Sequence, residues 1–292
     1  MPLNQFKNVR ILDNFYQTSS FFPMPVVLVS TVAESGQTNL GPYSLCFPYR
    51  VAGNGKRSMK LNARADSNTA QNILRTGVCA INFIPDNKKY LKNCVMLGFP
   101  GETTEEKMKN SNFTLIPSMR TKEEKEDGTK YPEIVEEAIQ VFECSVDPND
   151  PPWVDEETEE CHMILLIDKI IMKEKWKKAL IQGKKKFPRL PIDYGYRNNR
   201  YFWFAKHKKP FSETIPKGKG SKLGTVMYAA NRCDPEIVWE EEACAKITGV
   251  PRIFLGRVIQ GIVDEAKKEG ITRITPEFMD KVRDKRSKEK EE

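Results

Sequence analysis

The feature that most constrains this chain is a series of short segments, rich in β-branched and aromatic residues and separated by turns, through its first two thirds. The first lies between Pro25 and Tyr49, where an apolar strand, a Ser35-Gly36 turn and a second strand from about Gln37 predict a hairpin. Further strands are predicted within residues 58–63, 78–85, 138–146, 161–174 and 196–205. So many strands favour an antiparallel barrel decorated by loops over alternating βαβ units.

One helix is predicted within this region, from Thr69 to Arg75. Asp66 or Ser67 supplies its N-terminal cap, and Gly77 ends it. The remaining segments carry weaker patterns. They predict a mixed surface lobe with a turn and a short helical segment over 86–109, an edge strand over 113–119, a partly helical acidic stretch over 131–138 and irregular basic structure over 173–200.

The last part of the chain has a helical pattern instead. The first predicted helix is capped by Asp234, has Pro235 at its first position and ends before Gly249. A second predicted helix reaches Gly270, and a third begins near Thr275. Lys, Pro and Gly dominate the stretch before it, which predicts a linker. The expected division is a barrel domain over 1–205, a linker over 206–233 and a small helical domain over 234–292, which docks on the barrel, on a partner or on its dimer mate.

Composition excludes several classes of protein. The seven cysteines include no CxxC pair and there are only two histidines, so neither a disulfide framework nor a metal site is predicted. The sequence also has no GxGxxG or GxxxxGK[ST] string for a nucleotide phosphate. The apolar runs are short for a membrane span and the N-terminal residues lack an apolar signal core, so we expect a soluble, cytoplasmic protein.

The net charge of +7 conceals an uneven distribution along the chain. Residues 121–160 hold fifteen acidic residues against three lysines, whereas residues 173–222 hold sixteen basic residues against three acidic ones. A basic segment interleaved with aromatic residues suits nucleic acid, but no recognition helix, zinc finger or RNP-like string accompanies it. We therefore predict no nucleic-acid partner, and interpret the segment as a solvated face or as the complement of the acidic segment within a dimer.

Two polar motifs follow the barrel strands in order. The run TNLGPYSLCF resembles the N-x-x-P-x-S signature of the flavin reductase-like, FMN-binding split-barrel family, and SNTAQNI resembles the start of that family's first helix. A G-x-x-x-x-N-F strand follows at Gly77, Asn82 and Phe83. The resemblance covers roughly residues 15–205 and implies a mostly β fold with added helices, an antiparallel split β-barrel followed by the small all-helical C-terminal domain.

The resemblance implies FMN as the cofactor. Hydroxyls and backbone N–H groups at a helix start suit a phosphate, and a strand edge from Pro42 to Phe47 suits the flavin ring. Arg64 is preferred to Lys60 as the phosphate's charge partner because it lies nearer the helix start and its planar fork fits phosphate. The predicted cofactor-binding residues are Asn39, Pro42, Tyr43, Ser44, Leu45, Cys46, Arg64, Ser67, Asn68, Thr69 and Asn72.

His162 is the predicted catalytic residue. Members of the family often carry a histidine just before the strand that here reads MILLIDKI, where it faces the nicotinamide side of the flavin. The family's Gly-x-Val is replaced by Asp168, Lys169 and Ile170, so a histidine at a strand edge without function is the alternative. Cys46, beside the proposed ring site, is more often a packing residue than a redox thiol.

The predicted function is an FMN-dependent, homodimeric oxidoreductase that moves electrons from NADH or NADPH through flavin to an acceptor. One alternative is a flavoprotein reduced by a ferredoxin-like partner that docks on the basic segment. Another comes from the tail, which resembles the small C-terminal domain of the light-independent protochlorophyllide reductase B subunit through residues such as Trp239, Pro251 and Arg257. That resemblance implies a non-catalytic protein that binds a tetrapyrrole or a partner subunit.

Overall fold

The computed structural model describes residues 6–51, 57–122, 124–181, 186–198, 200–206, 208–213 and 222–288. The chain divides into two compact units. Residues 1–179 and 185–210 form the first unit, and residues 180–184 and 211–292 form the second.

The first unit is organised around a curled antiparallel sheet, which confirms the mostly β, split-barrel prediction. Its strands, together with those of two small sheets, are β1 (Met24–Pro25), β2 (Val27–Val32), β3 (Thr38–Tyr43), β4 (Cys46–Arg50), β5 (Ser58–Arg64), β6 (Val78–Phe83), β7 (Leu115–Ile116), β8 (Ile134–Val135), β9 (Gln140–Val146), β10 (Trp153–Val154), β11 (Glu160–Met172), β12 (Ile192–Asn198) and β13 (Tyr201–Ala205). The main sheet has the order β3-β2-β6-β9-β11-β5-β4, and β10 pairs with β11. The small sheets are β1-β12-β13 and β7-β8.

Strand β2 shows why the sheet forms where the sequence predicts it. All six of its residues are buried, and β-branched side chains such as Val27 and Val29 pack well on a pleated surface. The turn that follows contains Gly36 with φ of 82°, a conformation in which glycine has no Cβ clash. Because strand residues alternate between faces, Val27 packs inside the curled sheet while Leu28 packs against the helices outside it.

The helices of the first unit cover both faces of the sheet. They are α1 (Phe15–Thr18), α2 (Asn68–Thr76), α3 (Lys88–Leu97), α4 (Thr104–Met108) and α5 (Glu174–Ile181), the last of which ends in the second unit. Helix α2 confirms the helix predicted between Ser67 and Gly77. Ser67 Oγ accepts a hydrogen bond from Ala70 N–H (3.2 Å), and Gly77 at φ of 70° ends the helix.

Several predictions of local structure were wrong. The lobe over 86–109 contains the predicted short helical segment, as α4, but it also contains the full helix α3, which was not predicted and whose Leu91, Cys94 and Leu97 pack on the outer face of the sheet. The stretch over 131–138 contains strand β8 where a partial helix was predicted, because Ile134 and Val135 are buried against the sheet. The basic segment 173–200, predicted as irregular, contains helix α5 and the whole of strand β12.

The second unit is mainly helical, as predicted. Its elements are α6 (Lys222–Cys233), β14 (Val238–Trp239), α7 (Glu241–Ala245), α8 (Arg252–Lys268), β15 (Arg273–Ile274) and α9 (Pro276–Lys288). The predicted linker over 206–233 ends in helix α6, whose Val226 and Ala230 join the same core as Trp239. Residues 214–221 of that linker lie outside the described residues.

The helix predicted to begin at Asp234 was also wrong. Asp234 caps only a local turn, through Glu236 N–H (2.9 Å), and pairs with Lys267 (2.6 Å). The chain then forms a short parallel pairing between β14 and β15, and helix α7 begins only after Glu240. A pairing with a strand more than thirty residues further along the chain thus replaces the first turns of the expected helix.

Candidate functional site

Two adjoining cavities lie where strand β3, the start of α2 and the loop after α3 meet. The larger cavity has a volume of about 530 Å³ and the smaller one about 460 Å³. Their walls share Pro42, Tyr43, Arg64, Gly98, Phe99 and Pro100. A single elongated ligand can therefore extend from one cavity into the other.

Strand β3 and helix α2 approach each other closely at Gly41. A Cβ at this position would lie 2.4 Å from Thr69 Oγ1 and 2.8 Å from the Tyr43 ring. Only a glycine leaves room for the Thr69 hydroxyl here, and Gly41, Tyr43 and Thr69 all line the smaller cavity. Because Gly41 has no side chain, the first turn of α2 can pack against β3 at the cavity wall.

The first turn of α2 provides donors to the smaller cavity. The first backbone hydrogen bond of the helix runs from Gln71 N–H to Ser67 O (3.0 Å). The N–H groups of Asn68 and Thr69 lie before it and have no carbonyl partner within the helix. Ser67, Asn68 and Thr69 all line this cavity, and the Asn68 side chain donates to Glu102 O (3.0 Å) in the facing loop. A helix N-terminus of this kind favours an anion.

Buried amides behind this turn orient the Thr69 hydroxyl. Asn39 Nδ2 donates to Thr31 Oγ1 (3.2 Å) and to Thr69 Oγ1 (3.3 Å), and Asn72 Nδ2 donates to Thr31 Oγ1 (3.1 Å). Since Thr69 Oγ1 accepts from Asn39, its own proton can be donated to a ligand. Asn39 and Asn72, both predicted as cofactor ligands, are buried behind the cavity wall, where Asn39 contacts Thr69 directly and Asn72 contacts Thr31.

The larger cavity combines aromatic walls with one buried carboxyl group. Ser44 Oγ donates to Asp193 Oδ2 (2.5 Å), and Gly195 N–H donates to Asp193 Oδ1 (2.6 Å). Burial raises the pKa of Asp193, and these two hydrogen bonds partly offset that rise. Pro42, Tyr43 and Ser44, all predicted from the sequence, line this cavity, together with Phe99, Tyr201, Phe202, Phe204 and Arg200.

Sequence reasoning missed the residues that come from α4 and from the β12–β13 hairpin. Asp193 and Phe202 belong to a segment that was interpreted as basic and irregular or as a terminal strand. The available signal was the unbroken run of four aromatic residues in YFWFA, which indicates a strand that packs at least one face against apolar groups. Nothing in the local sequence indicates that this face closes the cavity.

The two cations of the smaller cavity differ in their partners. Arg64 lines both cavities, but its guanidinium forms two hydrogen bonds with Asp66 (3.0 and 2.5 Å), and its side chain is 61% exposed. Lys107 of α4 lines the smaller cavity and is only 6% exposed. Burial lowers the pKa of Lys107 to about 8, with the charge of Glu102 acting in the opposite direction.

His162, the predicted catalytic residue, lies outside the described lining of both cavities. Its ring stacks on Trp153 with centroids 4.1 Å apart, and Nδ1 lies 3.1 Å from Asn62 Oδ1. Burial, followed by the charge of Lys60, lowers the pKa of His162. Strand β11 pairs with β5, and His162 is directly opposite Asn62. Because Asn62 and Arg64 are two residues apart on β5, the side chains of His162 and Arg64 lie on the same face of the sheet.

Leu45 and Cys46 also lie outside the described cavity walls. Cys46 is 2% exposed in the core inside the curled sheet, where burial raises the pKa of its thiol. Leu45 O accepts a hydrogen bond from Asn62 N–H (3.0 Å), which fixes the chain between β3 and β4. Both residues therefore shape the backbone after Ser44 without reaching the cavity.

The combined cavity fits the shape and charge of FMN. A flat ring suits the aromatic larger cavity, and a phosphate suits the helix start and buried lysine of the smaller one. Gly41, which packs tightly against Thr69, and the residues at the start of α2 line the smaller cavity, where the N–H groups of the helix start can contact an anionic ligand. Ser67, Asn68, Thr69 and Lys107 would hold the phosphate, and Pro42, Tyr43 and Ser44 would bound the ring.

In the part of the chain that the structure describes, no helix combines the length and the apolar character that a membrane crossing requires. No group of three or more His, Cys, Asp or Glu side chains within that part has an arrangement that could hold a metal ion.

Solved structures that share this fold include a nitroreductase and a flavoredoxin. The chain is similar to the 2-nitrobenzoate 2-nitroreductase NbaA of Pseudomonas fluorescens, with 16% identity, a TM-score of 0.52, and coverage of 76% of this chain and 98% of that one. It is also similar to flavoredoxin from Methanosarcina acetivorans, with 19% identity, a TM-score of 0.50, and coverage of 73% and 98%. No family model and no curated protein matches the sequence. The fold of this chain is therefore that of these split-barrel structures.

Proposed function

We propose that this chain binds FMN across the two cavities and acts as a flavin-dependent oxidoreductase of the flavin reductase-like type. One observation carries the proposal: the capped start of α2, with Ser67, Asn68 and Thr69, opens into the polar end of a cavity whose other end is apolar and aromatic. The similarity of fold to flavoredoxin supports the same assignment.

The residues of the chain bind and orient, and the flavin, when bound, supplies the electron-transfer chemistry. When FMN is bound, Thr69 would donate its hydroxyl proton to the phosphate, because its oxygen already accepts a hydrogen bond from Asn39. Ser44, whose proton goes to Asp193, presents oxygen lone pairs toward the larger cavity. Phe99 and Phe202 line the larger cavity and would give the bound ring apolar surface to pack against.

We propose a reduced nicotinamide, NADH or NADPH, as the electron donor, with His162 as the candidate residue on the donor side. An anaerobic absorbance scan of the purified protein, before and after each nucleotide is added, tests this. The expected result is a flavin spectrum that bleaches with one of the two nucleotides. A protein that shows flavin bands but does not bleach with either nucleotide would remove the donor role from His162.

A second candidate donor is an acidic electron-transfer protein of the ferredoxin type. It is favoured by the basic segment, in which Lys173, Lys175 and Lys177 are exposed and carry their charge at the surface. Reduction that depends on such a protein and collapses at high ionic strength, with none from NADH or NADPH, would support this candidate.

The helical second unit is proposed to be a docking module, on the resemblance of its sequence to the protochlorophyllide reductase domain. If the unit bound a tetrapyrrole instead, and the protein were non-catalytic, the purified protein would show a porphyrin-type Soret band and no flavin bands. The same absorbance scan therefore separates the binding protein from the enzyme.

A further inference from the structure

We propose that Lys107 is the residue that makes this site specific for a phosphorylated flavin. The proposal rests on the proposed function, that the two cavities hold a flavin. It replaces Arg64, the cation chosen from the sequence, with a residue from a different element as the charge partner of the phosphate.

Lys107 is a largely buried cation that lines the smaller cavity, and its side chain is 6% exposed. Its ammonium group forms neither a hydrogen bond nor an ion pair with the described residues. Its backbone N–H donates to Thr103 O (3.0 Å), and its backbone O accepts from Asn110 N–H (3.0 Å). A buried ammonium costs free energy unless an opposite charge or a set of acceptors accompanies it. An anionic ligand in the smaller cavity would supply that charge.

Arg64 is already neutralised. Its Nε and Nη2 bond both carboxylate oxygens of Asp66 at 3.0 and 2.5 Å, in the bidentate geometry that arginine would otherwise offer to a phosphate. The Arg64 side chain is 61% exposed and that of Asp66 is 68% exposed, so the pair is also screened by water. Of the two cations that line the smaller cavity, Lys107 is therefore the one whose charge is not already paired with a carboxylate.

Three contacts fix Lys107 opposite the start of α2. Helix α4 begins with a capping box, in which Thr103 Oγ1 accepts from Glu106 N–H (3.2 Å) and Glu106 accepts from Thr103 N–H (2.9 Å). Ser35 in the first hairpin turn bonds Glu105 (2.5 Å), and Asn68 of α2 donates to Glu102 O (3.0 Å). The lysine is thus held on the far wall of the cavity that Asn68 and Thr69 also line.

The surroundings of Lys107 agree with this role. The charged groups that share its cavity wall are Glu102, Asp66 and Arg64, and the last two pair with each other. Glu102 is exposed and leaves the lysine with a pKa lowered to about 8 by burial. A dianionic phosphate beside the ammonium and the free N–H groups of α2 would favour the charged form.

The test is a comparison of FMN and riboflavin, which differ only in the phosphate. Dissociation constants for both flavins are measured by fluorescence titration on the full chain, for the wild type and for Lys107→Met. The wild type is expected to prefer FMN. The Lys107→Met variant should lose affinity for FMN by roughly 10- to 100-fold, the range of a buried charge-assisted contact, while its affinity for riboflavin changes by less than about threefold.

Two further variants separate a charge role from a packing role. Lys107→Arg, which keeps the charge, should retain part of the preference for FMN. Arg64→Met is the matched control, and its loss of FMN affinity should be the smaller because Arg64 is paired with Asp66. A Lys107→Met variant that loses both flavins equally, or an Arg64→Met variant with the larger loss, would overturn the proposal. A wild type that binds riboflavin as tightly as FMN would also overturn this proposal, but it would agree with the proposed flavin site. A wild type that binds neither flavin would overturn the proposed function itself.

Discussion

At the scale of single residues, Lys107 makes the ligand-free protein less stable than it would otherwise be. Its pKa falls from 10.5 to about 8 in the fold because burial penalises the charged form. Each pKa unit corresponds to about 1.4 kcal/mol, so holding this ammonium in the fold at neutral pH costs on the order of 3 kcal/mol. An anionic ligand that binds beside the ammonium would offset this cost and stabilise the folded protein.

This cost predicts a pH dependence of stability. Between pH 8 and 10.5 the unfolded chain keeps the Lys107 proton and the folded chain releases it. The free energy of unfolding should therefore increase as the pH rises through this window, because the folded state no longer holds a buried charge. Lys107→Met should therefore melt at a higher temperature than the ligand-free wild type at pH 7, and the difference should shrink by pH 10. Thermal melts at both pH values measure it. Equal melting temperatures at pH 7 would contradict the account.

Residues at the site differ in how far the sequence reveals them. Ser67, Asn68 and Thr69 were predictable because a cap, a helix and a closing glycine are local patterns. Lys107 and Asp193 were not, because their burial depends on α4 and on the β12–β13 hairpin folding over the site. Arg64 was predicted as a phosphate ligand, and the sequence also contained Asp66, the carboxylate two residues away that pairs with it.

At the scale of elements, the site depends on how closely β3 and α2 pack. Gly41→Ala would place a Cβ within 2.4 Å of Thr69 Oγ1, so the strand and the helix must move apart. We expect a loss of about 1–3 kcal/mol in the free energy of unfolding, as for other overpacked positions. Because Thr69 shifts, FMN affinity should also fall by at least about tenfold.

Urea unfolding and flavin titration measure the two effects. Gly256→Ala in α8 is the control, since nothing lies within 4 Å of the added Cβ there and alanine is the better helix former. That variant should keep FMN affinity and lose no stability. Unchanged FMN binding by Gly41→Ala would show that Thr69 does not contact the ligand.

Elements with local signals were predicted well, and those specified by distant contacts were not. The first hairpin and α2 follow from turn and cap residues. The helix expected from Asp234 failed because β14 pairs in parallel with β15, a contact that no local pattern encodes. Helix α3 was missed because its three buried apolar residues, Leu91, Cys94 and Leu97, form an apolar stripe that is narrow for a helix packed on a core.

At the scale of the whole molecule, exposed apolar groups on the sheet of the first unit favour the predicted homodimer. Tyr49 on the edge strand β4 is 49% exposed, and Trp153 on β10 is 52% exposed. Exposed aromatic groups on a sheet are typical of a surface that a partner covers. We propose that a second copy of this chain covers them.

Sedimentation analysis tests the dimer. The wild type should sediment with twice the mass of the chain, and Trp153→Glu should shift the equilibrium toward the monomer. Phe6→Glu, at a position 88% exposed and away from these strands in sequence, is the control and should leave the mass unchanged. A wild type that sediments as a monomer at micromolar concentration would contradict the proposed dimer.

The central claim is that the two cavities together hold one FMN, and a titration of the ligand-free protein with FMN tests it most directly. We predict saturation at one FMN per chain, with quenching or enhancement of flavin fluorescence, and weaker binding by Thr69→Val, which lacks the hydroxyl that Asn39 orients. A folded protein that shows no saturable binding of FMN would contradict the account.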